Sequence, residues 1–193
     1  EKRGLLFVPR HEAGPIPFNP HIRTVVSGGG GGGGPDAFYW SGTSKGDASY
    51  TQPPTSTFYS MHTDAYGVPI TIGAAGTVTK LAIKARSSSG TITAKLALYD
   101  NSGNRVTDSG EAAINITTTP GWFELTLATP KAVSAATYQL WWSGSSTNLQ
   151  IYYDADFNGL SKGGVAYASF PPATITTPGT ETNTGFGGRV YVD

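Results

Sequence analysis

The chain's chemistry-bearing side chains are few: three histidines, thirteen carboxylates, thirteen Lys and Arg residues, and no cysteine. Without cysteine there is no thiolate nucleophile, no disulfide and no Cys-ligated zinc. His11 and His21 stand among prolines near the start, and His62 has Ser60 and Asp64 two residues to either side. Residues two apart on a strand share a face, but a Ser-His-Asp triad is a matter of geometry, and no G-x-S-x-G elbow accompanies these. Glu111 and Glu124 fall in expected strands, where two carboxylates could divide acid and base roles as in glycosidases; solvated strand carboxylates explain them more simply. Asp154-Ala-Asp156-Phe-Asn158-Gly159 has the oxygen donors and turn glycine of the first half of a calcium loop. Its second half fails, with Lys162 at position nine and Val165 where a bidentate Glu should stand. A hairpin loop built on Asp and Asn turn chemistry accounts for it, as a plain turn accounts for Asp100-Asn-Ser-Gly103-Asn. The expectation is a chain with no catalytic residues, no bound metal and no cofactor.

Aromatic residues, at 11% of the chain, are the better binding signal. Trp141 and Trp142 are adjacent, so on a strand they must face opposite sides of a sheet. Tyr138, Leu140 and Trp142 read as a core face, which leaves Trp141 and Gln139 on the outer one. Leu149, Ile151 and Tyr153 likewise alternate with Gln150 and Tyr152, directing Tyr152 outward, and Trp122 beside Glu124 and Thr126 is a third outward candidate. Flat rings flanked by amides suit the C–H faces and hydroxyls of a surface glycan. They serve equally in a subunit contact or in ordinary packing, and all three uses stay open here.

The elements that must position these residues are strands. Only 13% of the chain is charged, against roughly 25% in a typical soluble domain. The missing polarity is made up by 25 Thr and 17 Ser, and no window carries the 3.6-residue apolar spacing of a helix. A formal charge of zero offers no basic surface for nonspecific nucleic-acid binding. No apolar run approaches the ~18 residues of a membrane-spanning helix. Thr79, Leu81, Ile83 and Ala85 alternate with Lys80, Ala82, Lys84 and Arg86, and Ile92, Ala94, Leu96 and Leu98 repeat the pattern. Ser87-Ser-Ser-Gly90 between them reads as a hairpin loop. Further strands are expected at 111–116, 122–127, 137–142, 148–153, 164–170 and 186–192. Such spacing predicts an all-β, antiparallel β-sandwich.

Three segments differ in composition. Residues 1–26 combine Pro9, Pro15, Pro17 and Pro20 with Leu5, Leu6, Phe7, Val8, Ile16, Phe18, Ile22, Val25 and Val26. Proline excludes a helix, and bulky apolar side chains are not those of a solvated tail, so this is an extended arm that lies on a surface. Leu5–Val8 is too short for the apolar core of a secretory signal. Lys2, Arg3, Arg10 and Arg23 against Glu1 and Glu12 give the arm +2 and leave −2 for the remainder. Residues 27–35 hold seven consecutive glycines closed by Pro35. No Lys-Ser/Thr follows them, so they are a flexible tether and not a phosphate loop. Residues 36–193 form the β domain.

Four stretches carry a resemblance: Gly76-Thr-Val-Thr-Lys-Leu-Ala-Ile, Leu96-Ala-Leu-Tyr-Asp-Asn-Ser-Gly-Asn, Gly121-Trp-Phe-Glu-Leu-Thr-Leu and Val133-Ser-Ala-Ala-Thr-Tyr-Gln-Leu-Trp-Trp. In this order, over residues 66–192, they resemble the jelly-roll β-sandwich modules of phage virion proteins, of head-decoration and fibre type, and of secreted bacterial surface proteins. Ala136 stands where that pattern often has Gly. The resemblance implies a jelly roll with an extended N-terminal arm, serving as a non-enzymatic structural module at the virion surface. It implies a major capsid or other assembly protein as the arm's partner, through Leu5, Leu6, Phe7, Val8, Phe18 and Ile22, and a homo-oligomer. Trp122, Trp141 and Tyr152 are then the expected glycan or subunit contacts, with no nucleic acid and no membrane involved. The alternatives are a secreted carbohydrate-binding module and an extracellular filament subunit assembled by strand complementation.

Overall fold

A computed structural model describes residues 37–40, 58–60, 64–107, 113–154, 158–181 and 185–193. The expected arm and tether lie outside them. Among the described residues thirteen strands make two antiparallel sheets packed face to face, and the only helical element is one 3-10 turn, Tyr167–Ser169. The all-β sandwich expected from the alternation is therefore what forms.

The first sheet holds β1 (Ala37–Trp40), β2 (Phe58–Ser60), β4 (Gly76–Ser87), β7 (Gly121–Val133), β9 (Leu149–Asp154), β12 (Gly185–Phe186) and β13 (Gly188–Val192). At its centre β4 pairs with β7 on one side and with β13 and then β9 on the other. Gly187 marks the change of neighbour: its N–H donates to Tyr152 O at 2.8 Å and its carbonyl accepts from Lys84 N at 2.9 Å. The second sheet runs β11 (Gly179–Glu181), β10 (Gly159–Lys162), β3 (Ala65–Ile72), β8 (Ala136–Gly144), β5 (Ile92–Asp100) and β6 (Ile114–Ile116).

Period-two alternation fills the space between the sheets. Val78, Leu81, Ile83, Leu125, Ile151 and Val190 of the first sheet meet Val68, Ile70, Leu96, Leu98, Leu140 and Trp142 of the second, all essentially buried. Phe186 is seated between Tyr66 and Trp142, edge-on to both at ring separations of 5.9 and 5.5 Å.

Two sequence expectations are corrected. Ser87–Gly90 is not a hairpin loop, because β4 and β5 belong to different sheets. Ser87 N–H donates to Thr117 O and Ser88 N–H to Asn148 O, so the link passes over one end of the sandwich. Alternation records which face of a strand is buried and says nothing about which strand lies beside it. Residues 164–170 are not a strand either. With Pro171 and Pro172 behind them, which lack N–H donors for a ladder, they begin a strap over the outer face of the second sheet.

The strap is held by its carbonyls. Lys95 Nζ donates to Tyr167 O and Phe170 O, both at 3.1 Å, Tyr99 hydroxyl to Pro172 O at 2.7 Å, and Arg105 Nη1 to Pro171 O at 2.6 Å. Beneath it Phe170 and Ile175 bury Ala65, Ala97, Tyr99 and Trp141 in a second apolar cluster. Two glycines make room. Gly103, at φ +82°, closes the Asp100–Asn104 turn, and a Cβ there would meet Ile175 O at 2.0 Å. At Gly67 a Cβ would come within 2.7 Å of Trp141 Cδ2 and 2.8 Å of Leu140 O.

A Gly67→Ala substitution should therefore force the indole or the β3–β8 pair apart. The expected cost is about 1–3 kcal/mol in urea unfolding, with a shift in tryptophan fluorescence. Gly121→Ala, where nothing lies within 4 Å of the new methyl, should stay within about 0.5 kcal/mol of the parent.

Candidate functional site

The outer face of the first sheet gathers several cationic and aromatic side chains in register. Lys80, Ala82, Lys84 and Arg86 leave β4 on that face. Thr126, Glu124 and Trp122 stand opposite the first three on β7, and Tyr191 and Arg189 stand opposite Lys80 and Ala82 on β13. On β9, Gln150 is opposite Arg86, and Tyr152 follows two residues on. Ala82 is fully buried at the centre, and its small side chain is the floor on which Trp122 and Tyr191 pack.

The arrangement is a chain of cation–ring and carboxylate contacts. Arg189 stacks its guanidinium 3.6 Å from the Trp122 ring centroid. Tyr191 hydroxyl donates to Glu124 Oε1 at 2.5 Å, and Lys80 Nζ lies 3.8 Å from Glu124 Oε2 and 5.5 Å from the Tyr191 ring. Lys84 Nζ lies 5.5 Å from the Tyr152 ring, while Arg86 Nε donates to Gln150 Oε1 at 2.8 Å and Gln150 Nε2 to Ser60 Oγ at 3.3 Å. Burial lowers the pKa of Lys84, and the neighbouring Arg189 charge lowers it further. Burial also lowers that of Arg189, against the pull of Tyr191 and Glu124. Burial raises Tyr191, and the bond it donates to Glu124 adds to the rise. Four cations around one carboxylate on this face make a locally positive, ring-bearing surface suited to holding a polar or anionic partner.

The three aromatics expected to share a binding role do not come together. Trp122 is half-buried against the buried Arg189, and Tyr152 is buried on the same face near Lys84. Trp141 belongs to the other sheet. Its ring points away from the inter-sheet core, but the strap covers it completely, and its Nε1 donates to Gln139 Oε1 at 3.0 Å. A ring presented to a ligand is thus corrected to a ring inside a second core. Arg189 and Tyr191 were not singled out in the sequence. Their alternation with Val190 and Val192 marks an outer face, but only the register across β4 sets them beside Trp122 and Glu124.

The remaining candidates are separate. Ser60 and Asp64 each accept from another residue, Gln150 and the Gly164 N–H, and His62 lies outside the described residues, as do His11, His21, Glu111 and Asp156. Leu5, Leu6, Phe7, Val8, Phe18 and Ile22 also lie outside them. Among the described residues no three His, Asp or Glu side chains gather as a metal site. Asp100 does cap its turn, accepting from the Ser102 and Asn104 N–H groups at 2.9 Å, and these bonds hold its carboxyl below the usual range.

Tyr191→Phe should remove about 1–2 kcal/mol at neutral pH, the worth of a hydroxyl bonded to a carboxylate. A raised folded-state pKa adds stability that is whole below the ordinary tyrosine value and fades as pH rises through the shifted one. The variant's stability should accordingly fall less steeply above about pH 10, read by denaturant titration between neutral pH and pH 11. Compared with known protein-family profiles and with curated protein sequences, the chain has no match.

Proposed function

We propose that this is a non-enzymatic virion structural protein of the capsid-decoration or fibre kind. Residues 1–26 anchor it to a major capsid or other assembly protein, and a sandwich of jelly-roll type is displayed at the particle surface. The observation that carries this reading is where the tether ends. The glycine run and Pro35 lead within two residues into β1, which pairs Ala37 to Val192 and Trp40 to Arg189 on the last strand of the chain. Seven consecutive glycines ahead of a paired strand would decouple an apolar arm from a rigid module, as display from a particle requires. Several arms per particle would let individually weak contacts add through effective concentration.

A second reading, a carbohydrate-binding module, draws support from Trp122, whose ring is flanked by Arg189, Lys84 and Glu124 on one sheet face.

Full chains carrying Phe18→Asp and Ile22→Asp should lose at least ten-fold in co-sedimentation with assembled particles while keeping the parent's thermal midpoint. Unchanged co-sedimentation would reject the anchoring arm. Glycan-array binding that disappears with Trp122→Ala would move the function to the second reading.

A further inference from the structure

The strap over Trp141 is the crown of a long loop. β10 and β11 pair with each other, Ser161 opposite Gly179, so the sixteen residues from Gly163 to Pro178 leave and return at one neck. Lys162 Nζ donates to Thr177 Oγ1 across it at 3.5 Å. Structureless loops of that length are uncommon in compact domains and tend to be functional. Its root lies beside β3, and it runs over β8 and β5 to the turn past β5. There Arg105 N–H donates to Ala173 O at 3.0 Å and Ile175 N–H to Gly103 O at 2.8 Å.

Three features let this loop lift without disturbing a sheet. The β10–β11 pair keeps the neck closed, and Gly163 and Gly164 beside it have nothing within 4 Å of where a Cβ would stand. Among the described residues no N–H from Val165 to Pro172 is bonded to a strand; Ser169 and Phe170 donate within the loop, to Ala166 O and Tyr167 O. The hold comes instead from side chains: Lys95, Tyr99 and Arg105 on the carbonyls of Tyr167, Phe170, Pro171 and Pro172, with Thr93 Oγ1 2.8 Å from the Tyr167 hydroxyl. The loop's other side faces solvent, with Ala166, Ala168, Ser169, Ala173 and Thr174 exposed.

Beneath it is a groove with its own polar groups. Trp141 lies over Gly67 and is opposite Ala97, so the indole stands between two small cross-strand partners. Its N–H is bonded to Gln139 Oε1, so lifting the loop orphans no donor on the ring. Lys95 and Tyr99 flank it on β5. Ser143, opposite Lys95 on the same face, is buried with its hydroxyl lacking a hydrogen-bond partner among the described residues. The loop in place shows which chemistry this face takes. Phe170 packs in the Trp141 cluster, while Phe170, Pro171 and Pro172 give their carbonyls to the donors. The two prolines bring no N–H that would need a partner, and aromatic grooves read proline-rich segments in this way.

We propose that Gly163–Pro178 is a flap that lifts about the β10–β11 neck, and that the uncovered face over Trp141 takes a proline-containing peptide segment of a partner protein in place of Phe170-Pro171-Pro172. The flap is then an internal competitor: a segment in trans reaches only the open fraction, and its apparent affinity falls by that fraction. The inference concerns the second sheet and does not depend on the anchoring arm.

The absence of cysteine gives the test. In full-length chains, Ala97→Cys puts a thiol under the flap and Ala85→Cys puts one in the inter-sheet core, both at fully buried positions. Under native conditions a thiol reagent should label the first at least a hundred-fold faster than the second. Tyr99→Phe with Arg105→Gln, which remove two of the holds, should widen that ratio at least ten-fold further. Equal rates, or an equal rise at both positions, would mean that the face is uncovered only when the sandwich unfolds, and would overturn the flap. The unmodified chain gives a second reading: the Trp141 indole N–H should exchange with deuterium at least ten-fold faster than that of Trp142, and the reverse order would also overturn it. In the chain carrying Ala97→Cys, Tyr99→Phe and Arg105→Gln, excess synthetic peptide with the sequence of residues 166–176 should slow labelling at least five-fold. The same peptide with alanine in place of both prolines should not. A peptide without effect overturns the partner assignment, and protection by an oligosaccharide alone would replace it with a saccharide.

Discussion

The constraint on which the architecture depends is the burial of two adjacent tryptophans on opposite faces of one strand. β8 sends Trp142 into the space between the sheets and Trp141 to the far side, and both are fully buried. Each ring removes about 150–250 Å² from water, worth on the order of 4–6 kcal/mol before ordering costs. An exposed sheet face would forfeit half of that. The strap from Val165 to Ile175 covers Trp141, and Lys95 and Tyr99 of β5, with Arg105 just past its end, supply the groups that bind the strap's carbonyls. Of the two indoles, that of Trp142 leaves its Nε1 with no hydrogen-bond partner among the described residues, a cost of roughly 1–3 kcal/mol borne by the rest of the core.

Because the strap covers the outer face of the second sheet around Trp141, the first sheet is where cations and rings gather. Its outer face keeps Lys80, Lys84, Arg86 and Arg189 around Glu124, each cation against a ring, an amide or the carboxylate. A chain of zero formal charge thus has a positive face among its described residues, and buried Arg189 stiffens it by stacking on Trp122. The two sides of β4 differ as well: β13 and β9 are enclosed by β1 and β2, while β7 has no strand beyond it among the described residues.

Much of this could be read from the residues. The faces of β4, β5, β8 and β9 follow from alternation, and so does the pointing of Tyr152 away from the core. The Asp100–Asn104 turn follows from Asp, Gly and Asn at the spacing where a carboxylate can accept two N–H groups. Strand partners could not be read. Ser87–Gly90 has the composition of a hairpin loop, yet it joins two sheets, because a serine-rich link satisfies its peptide groups on Thr117 and Asn148 as readily as in a turn. Val165-Ala-Tyr167 looks like the opening of a strand, and only contact with Lys95 and Trp141 makes it a cover.

By itself the sequence determined the class of structure and the direction of most side chains, since both depend on a period of two that is local to each strand. The tertiary structure alone decided accessibility and neighbourhood. Trp141 became core and not a displayed ring because a segment some thirty residues later folds across it. Arg189 came to lie on Trp122 because both strands pair with β4 in a register that no local pattern encodes.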